Sequence, residues 1–166
     1  MANYNFNKDI IIGEQGEDTV VHKLTTFYKD TIAQPKDYNP KQLNIKEYDR
    51  IITSLRTGKD YYIEIKTDVY CTPDYDTGNM FIEFEWNHKP SGIRTTKSDL
   101  FITYFKHLKE LWIIPTEKLK DLIFLLITLN EHIRTTMFSG DILSHTKGYL
   151  IKREQCRDYF TVLPME

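Results

Sequence analysis

The sequence predicts a mixed α/β (α+β) domain in which helices flank a central mixed β-sheet. Two segments, 13–28 and 115–129, carry apolar residues at helical spacing. Between them, several short stretches alternate or are rich in Ile and Tyr, which is typical of strands. Helices packed on a sheet bury the apolar faces of both kinds of element. The chain has 166 residues, the length of one domain, so we predict a single domain over residues 1–166.

The composition is that of an ordinary globular protein. Hydrophobic residues make up 40% and charged residues 28%, which excludes disordered, collagen-like and low-complexity proteins. The formal net charge is −2, so binding to nucleic acid would have to use a local basic patch. The two cysteines lack disulfide-scaffold or metal-site spacing, and no secretory signal or membrane span is visible. We therefore expect a cytoplasmic protein with no membrane partner.

The first elements are a helix and a hairpin. Gly13–Tyr28 is predicted to be helical, with acidic residues near its start, where the helix dipole favours them. The stretch 34–42 contains two prolines and is predicted to be a loop. Leu43–Thr53 and Lys59–Thr67 read as strands, and the SLRTGK sequence between them has turn chemistry, so we expect a β-hairpin.

The later elements are shorter. Met80–Trp86 alternates strictly and predicts a third strand between two loops. A proline near its first turn favours a second helix over Pro115–Leu129. Further strands or extended segments are expected at 99–105, 110–114, 148–152 and 160–163, with a helical turn between the last two and a loop at 139–147.

The predicted hairpin concentrates chemically useful residues. Alternation in its second strand puts Glu64 and Lys66 on one face. A turn centred between Arg56 and Thr57 places Asp49 opposite Glu64, and a turn centred one residue later places it opposite Lys66. In both registers the three side chains share a face, whereas a one-residue slip would separate them.

Two carboxylates beside an ammonium group can form a catalytic unit. Mg²⁺ commonly takes one or two carboxylates plus waters, and a bound metal lowers the pKa of water and stabilises a leaving oxygen. Lys66 could orient the attacking water or stabilise charge that develops on phosphorus. The alternative is a cross-strand salt bridge on an exposed face, which would contribute only ~0–1 kcal/mol. The triplet alone leaves both interpretations open.

The wider pattern resembles a known family. Gly13-x-x-Gly16-Glu17, followed by Asp49 and then by Glu64-Ile65-Lys66, is similar to the PD-(D/E)XK nuclease superfamily. Later stretches resemble small nucleases of this superfamily from phage genomes: Ser91-Gly92-Ile93, Thr96-Lys97-Ser98-Asp99 and Trp112-Ile113-Ile114-Pro115-Thr116. The chain departs from the pattern in one respect, because Tyr48 rather than proline precedes Asp49.

This resemblance implies a restriction-endonuclease-like core of helix, mixed sheet, helix and strand. It assigns catalytic roles to Glu17, Asp49, Glu64 and Lys66. It also implies Mg²⁺, with Mn²⁺ as a substitute, held by Asp49, Glu64 and the backbone carbonyl of Ile65. For a phage-encoded protein the compartment would be the host cytoplasm.

Several acidic residues have a second interpretation. Without the strand motif, Glu17 would be an acid that complements the dipole of an exposed helix turn, and Glu14 is a weaker candidate for its role. Glu83 and Glu85 would lie on the Glu64 side of the sheet if the apolar residues between them joined Ile63 in the core. In that position they would flank the site or form its solvated face.

The loop after the third predicted strand is the candidate DNA contact. It supplies Lys89, Ser91, Arg94 and Lys97, groups that position a phosphate backbone without reading sequence. The alternative is an ordinary solvated loop.

The sequence therefore predicts a Mg²⁺-dependent endodeoxyribonuclease with DNA as its partner. Two alternatives remain, a nuclease-fold binding module without catalysis and an unrelated interaction protein whose triplet is a surface salt bridge. The sequence leaves open whether the substrate is DNA or RNA, and whether the protein is a monomer or a homodimer.

Overall fold

The structure, a computed structural model, describes residues 6–44, 47–129, 134–141 and 144–165. The described part is a mixed α/β fold with two β-sheets, so the predicted class is confirmed. Its elements in chain order are α1 (Phe6–Phe27), β1 (Thr31–Ala33), β2 (Arg50–Ser54), β3 (Asp60–Asp68), β4 (Asn79–Trp86), β5 (Lys89–Pro90), β6 (Leu100–Phe105), β7 (Glu110–Pro115), α2 (Thr116–Thr128), β8 (Arg134–Asp141), β9 (Ser144–Lys152), α3 (Arg153–Cys156) and β10 (Thr161–Pro164).

The larger sheet is mixed and has six strands in the order β1-β2-β3-β6-β7-β10. Its β3 and β6 run parallel, and the other neighbours are antiparallel. The smaller sheet has the order β5-β4-β9-β8 and is antiparallel throughout. None of the helices in the described ranges is long and apolar enough to cross a membrane.

The six-stranded sheet is buried on both faces. One apolar cluster joins Ile63 of β3 and Ile102 of β6 to Val20 and Leu24 of α1. The other joins Phe101 of β6 to residues of β4, β7 and α2. Since neighbouring residues of a strand point to opposite faces, the alternation in β3 places Glu64 and Lys66 on the second of these faces.

Two strand predictions in the first half of the chain are corrected. The predicted strand Leu43–Thr53 begins only at Arg50, because the side chain of Asn39 bonds both backbone groups of Leu43, at 2.7 and 3.0 Å, and closes a turn there. The third predicted strand exists, but it belongs to the smaller sheet. The position beside β3 is occupied by β6, so the apolar residues of β4 pack with Phe101 and not with Ile63.

Other differences lie at the sheet edges. β1 was not predicted, since a strand of three residues leaves little pattern. The prediction of a loop at 139–147 is wrong for residues 139–141 and 144–147, which belong to the hairpin of β8 and β9. Positions 142 and 143 of that loop lie outside the described residues. The helical turn after β9 and the final strand, β10, agree with the prediction.

A glycine sets the distance between α1 and the sheet. Gly16 is buried, and a Cβ atom built on it would lie 1.9 Å from Oγ1 and 3.0 Å from Cβ of Thr67 in β3. Only a residue without a side chain allows this approach. The contact brings the following residue, Glu17, toward the start of the β2–β3 hairpin.

The contact predicts that Gly16→Ala destabilises the protein by about 1–3 kcal/mol, because overpacking must push α1 away from β3. The matched control is Gly13→Ala on the same helix, where a Cβ would meet nothing within 4 Å. That change should stabilise by up to about 1 kcal/mol through helix propensity alone. Urea denaturation of both variants measures the difference, and equal stabilities would contradict the close packing.

Candidate functional site

Asp49 lies where the pairing of β2 with β3 ends. The register pairs Arg50 with Ile63, which is the first of the two predicted registers, and the N–H of Asp49 donates to the Ile63 carbonyl at 2.8 Å. Asp49 is therefore opposite Glu64. Its Oδ2 accepts the N–H of Ile65 at 2.6 Å, in the place that a strand carbonyl would otherwise occupy. The carboxylate is thus held at the open end of the hairpin.

Glu64 and Lys66 form an ion pair on the neighbouring strand. The side chain of Glu64 is only 6% exposed, and its Oε1 lies 2.7 Å from Nζ of Lys66. Lys66 keeps 41% of its side chain exposed, so the pair reaches solvent through the ammonium group. The pair thus consists of a buried carboxylate and a partly exposed ammonium group. It differs from the salt bridge on an exposed face that the sequence left as an alternative.

A chain of buried hydroxyls supports the other side of Glu64. Oγ1 of Thr96 lies 3.2 Å from Oε2 of Glu64 and 3.0 Å from Oγ of Ser98. Oγ of Ser98 lies 2.8 Å from Oγ1 of Thr116, the first residue of α2. The one proton of the Thr96 hydroxyl is shared with the Glu47 carbonyl, whose oxygen lies 3.0 Å from the same Oγ1. In the sequence, Thr96 and Ser98 stand out only through the family resemblance, since nothing local pairs them with Glu64.

Glu17 approaches the hairpin from α1. Arg50 bridges the two elements, with an Nη1 that binds Asp18 and lies 3.9 Å from Oε2 of Glu17. Burial raises the pKa of Glu17 to about 7, with a further contribution from the Asp49 carboxylate. The structure therefore brings Asp49, Glu64 and Lys66 together, and it places Glu17 within electrostatic range of Asp49, on a helix that packs against the other face of β3.

The charges at this region are unbalanced. Burial and the Glu64 carboxylate raise the pKa of Asp49 to about 6, although Lys66 and the Ile65 N–H oppose the shift. Burial lowers the pKa of Lys66, but the carboxylates of Glu64 and Asp49 outweigh it and hold the pKa above its usual range. Lys66 is therefore protonated at neutral pH, and its charge and that of Arg50 offset the effect of burial and of the neighbouring carboxylates on Asp49 only in part.

The residues can be tested as a divalent cation site. Among the described residues, no three Asp, Glu, His or Cys side chains lie close enough together to hold a metal ion. A centre here would rest on the carboxylates of Asp49 and Glu64, with the backbone carbonyl of Ile65 as the predicted third ligand. One or two carboxylates plus waters suffice for Mg²⁺. Burial is the larger cause of the raised pKa of Asp49, and the repulsion by Glu64 that adds to it is what a cation between the two carboxylates would offset.

The four predicted DNA contacts do not form one patch. Lys89 is exposed in β5 of the smaller sheet, and Oγ of Ser91 is buried without a hydrogen-bond partner in the described part of the chain. Arg94 lies over the Phe84 ring at 5.4 Å, and with Lys97 it lines a cleft of about 410 Å³.

The acidic residues of β4 separate. Glu85 forms an ion pair with Lys147 at 2.6 Å, away from the hairpin. Glu83 contributes to the raised pKa of Lys66 and so lies on its side of the sheet. The expectation for Glu83 depended on packing of the apolar residues of β4 with Ile63. In the structure β4 belongs to the smaller sheet and is not a neighbour of β3.

Comparison of the chain with models of protein families, with curated proteins and with solved structures finds no match in any of the three. The interpretation of the site therefore rests on its residues and their geometry.

The charge imbalance predicts a dependence of stability on pH. The pKa values of Asp49, about 6, and of Glu17, about 7, lie above the ordinary 3.8 and 4.5. Between about pH 4 and 7 the folded state therefore binds more protons than the unfolded chain, so this contribution to stability falls as pH rises. In EDTA at neutral pH, Asp49→Asn should melt a few degrees above wild type, since about 1 kcal/mol corresponds to ~2–4 °C. The gain should disappear near pH 4.

Asp18→Asn is the matched control for these melts. Arg50 lowers the pKa of Asp18, so the amide removes a favourable interaction and should not raise the melting temperature. Adding Mg²⁺ should stabilise wild type by roughly 2.7 kcal/mol at a hundredfold excess over its Kd, and Asp49→Asn much less. A destabilised Asp49→Asn in EDTA, with no shift by Mg²⁺ in either protein, would exclude the metal site.

Proposed function

We propose that the protein is a Mg²⁺-dependent endodeoxyribonuclease that hydrolyses DNA phosphodiester bonds. The observation that carries the proposal is the meeting of Asp49, Glu64 and Lys66 at the open end of the β2–β3 hairpin. Glu17 of α1 adds a fourth predicted residue to the same region. Mn²⁺ is expected to substitute for Mg²⁺.

The order of elements supports a restriction-endonuclease-like core within the mixed α/β fold. α1 is followed by the antiparallel pair β2 and β3, and β6 then runs parallel to β3. The two strands β4 and β5, which precede β6 in the chain, belong to the smaller sheet and would be an insertion into that core.

The chain's own residues divide the work. When bound by Asp49 and Glu64, Mg²⁺ would supply Lewis-acid stabilisation and a water of lowered pKa. Lys66 is protonated, so it donates hydrogen bonds, orients the attacking water and stabilises negative charge on the phosphate. Oγ1 of Thr96 lies within hydrogen-bond distance of the second oxygen of Glu64. Glu17, with a pKa of about 7, holds a proton during part of the time at neutral pH.

The burial of Glu64 weighs against one alternative, and the presence of the complete triplet weighs against the other. A surface salt bridge would leave both partners exposed, whereas the Glu64 side chain is 6% exposed. Because Glu64 is paired with Lys66 and lies within hydrogen-bond distance of Thr96, its burial argues against the exposed salt bridge only. A binding module without catalysis would be expected to have lost at least one of Asp49, Glu64 and Lys66, and all three are present.

The proposal predicts that Lys66→Ala abolishes most DNA cleavage. Loss of transition-state charge stabilisation of ~3–4 kcal/mol corresponds to about 10²–10³ in rate. Nicking of supercoiled plasmid and cutting of branched DNA, in Mg²⁺ and in EDTA, give the measurement. The matched control is Lys147→Ala, since Lys147 pairs with Glu85 at 2.6 Å and is 37% exposed. Full activity of Lys66→Ala, or cleavage that persists in EDTA, would overturn the assignment.

The predicted DNA surface has its own test. Replacing Lys89, Arg94 and Lys97 with Ala should weaken DNA binding and flatten its salt dependence, by about 0.9 in the log–log slope for each phosphate that the protein no longer neutralises. A control variant removes the same charge at three other exposed lysines, Lys106, Lys109 and Lys118. If the two triple variants have the same slope, the DNA surface lies elsewhere.

A further inference from the structure

The cleft of about 410 Å³ lies beside the candidate site and is called the basic cleft here. It is formed where the segment 94–99 meets the start of α2. Three cationic residues line it, two from the segment and one from the helix: Arg94, Lys97 and Lys120. Its volume falls within the roughly 300–1,000 Å³ of ligand sites.

The basic cleft is connected to Glu64 by a shared side chain. Thr96 and Ser98 line it, and the same Oγ1 of Thr96 lies 3.2 Å from Oε2 of Glu64. One threonine therefore separates the cleft from the buried carboxylate. A group bound in the cleft would be next to whatever is bound by Asp49 and Glu64.

The chemistry of the lining favours a small anion with several oxygens. Two acidic residues also line the basic cleft, Asp99 and Glu117. Oδ2 of Asp99 accepts the N–H of Tyr62 at 2.9 Å. The Glu117 side chain is 81% exposed and binds Lys120 at 2.8 Å, so it can turn away to solvent. Cations and hydroxyls without an aromatic wall match a phosphate group and not a base.

The geometry points to a phosphate-binding site in the basic cleft that holds a phosphate of the cleaved DNA strand, adjacent to the bond that is cut. This inference rests on the proposed nuclease function for the identity of the strand. It adds Lys120 of α2, a residue far along the chain from the predicted DNA contacts, to the substrate-binding surface. The cleft would orient the substrate, and it would do so without reading its sequence.

The test measures binding of a fluorescent duplex by anisotropy across a salt series. Two backgrounds in which the proposal expects no cleavage are used, the wild-type protein in EDTA and Lys66→Ala in Mg²⁺, and each further substitution is compared within both. Lys120→Ala should weaken binding about two- to fivefold and reduce the log–log slope by about 0.9. The matched control is Lys118→Ala, an exposed lysine two positions away that does not line the cleft. Equal effects of the two variants, or no effect of either, would overturn the site.

A variant of opposite sign guards against effects on folding. Glu117→Gln removes a negative charge from the lining and frees Lys120, so it should tighten binding by a similar factor. A loss of affinity in this variant would contradict an anion site. Adding a 5′-phosphate to the duplex separates two sources of the same chemistry. Tighter binding assigns the cleft to a phosphate at a strand end, and unchanged binding assigns it to an internal phosphodiester.

The outcomes also separate this inference from the proposed function. If DNA binding depends on Lys120 but not on Lys118 and the protein does not cleave DNA, the phosphate site in the basic cleft is supported and the nuclease is excluded. Metal-dependent cleavage, together with a DNA affinity that neither Lys120→Ala nor Glu117→Gln changes, would support the nuclease and exclude the phosphate site in the basic cleft.

Discussion

The arrangement of this protein depends on how the Glu64 carboxylate is accommodated inside the sheet. A charged group with so little exposure costs several kcal/mol unless its oxygens are satisfied. Here one oxygen pairs with Lys66 and the other meets Thr96. Both partners need a defined position, Lys66 through the two-residue period of β3 and Thr96 through the hydroxyl chain to α2. The position of this one carboxylate thus depends on three features: the alternation of β3, the loop before β6 and the start of α2.

The same region shows how packing and electrostatics constrain each other. α1 approaches β3 closely only because Gly16 leaves room for Thr67. That approach buries Glu17 enough to raise its pKa and brings it under the influence of Asp49. Lys36 and Arg50 offset part of the negative charge, and both also pair with Asp18. The fold therefore places Glu17 and Asp49 where burial, and to a smaller extent neighbouring carboxylates, makes their ionised forms costly.

The parts of this arrangement that follow from local pattern were predictable. Alternation in β3 indicated that Glu64 and Lys66 share a face. The turn sequence allowed two pairings of the hairpin, which placed Asp49 opposite Glu64 or opposite Lys66, and the structure has the first. The rest depends on partners distant in the chain. Alternation identifies β4 as a strand, but it does not say that β6 takes the place beside β3. Nor does any local signal connect Thr96 to Glu64 across 32 residues, or Lys120 to the segment that contains Arg94.

Asp49 has two roles that affect stability in opposite directions. Its Oδ2 accepts the Ile65 N–H and so completes the sheet's hydrogen bonding where β2 has not yet begun. Its charge, in contrast, lies against Glu64 and raises its own pKa. A neutral amide could also perform the first role, since its oxygen accepts a hydrogen bond, although a weaker one than a carboxylate accepts. The backbone thus requires an acceptor at this position but not a negative charge, so the charge of Asp49 has a cost that Lys66 offsets only in part and that the proposed cation would offset further.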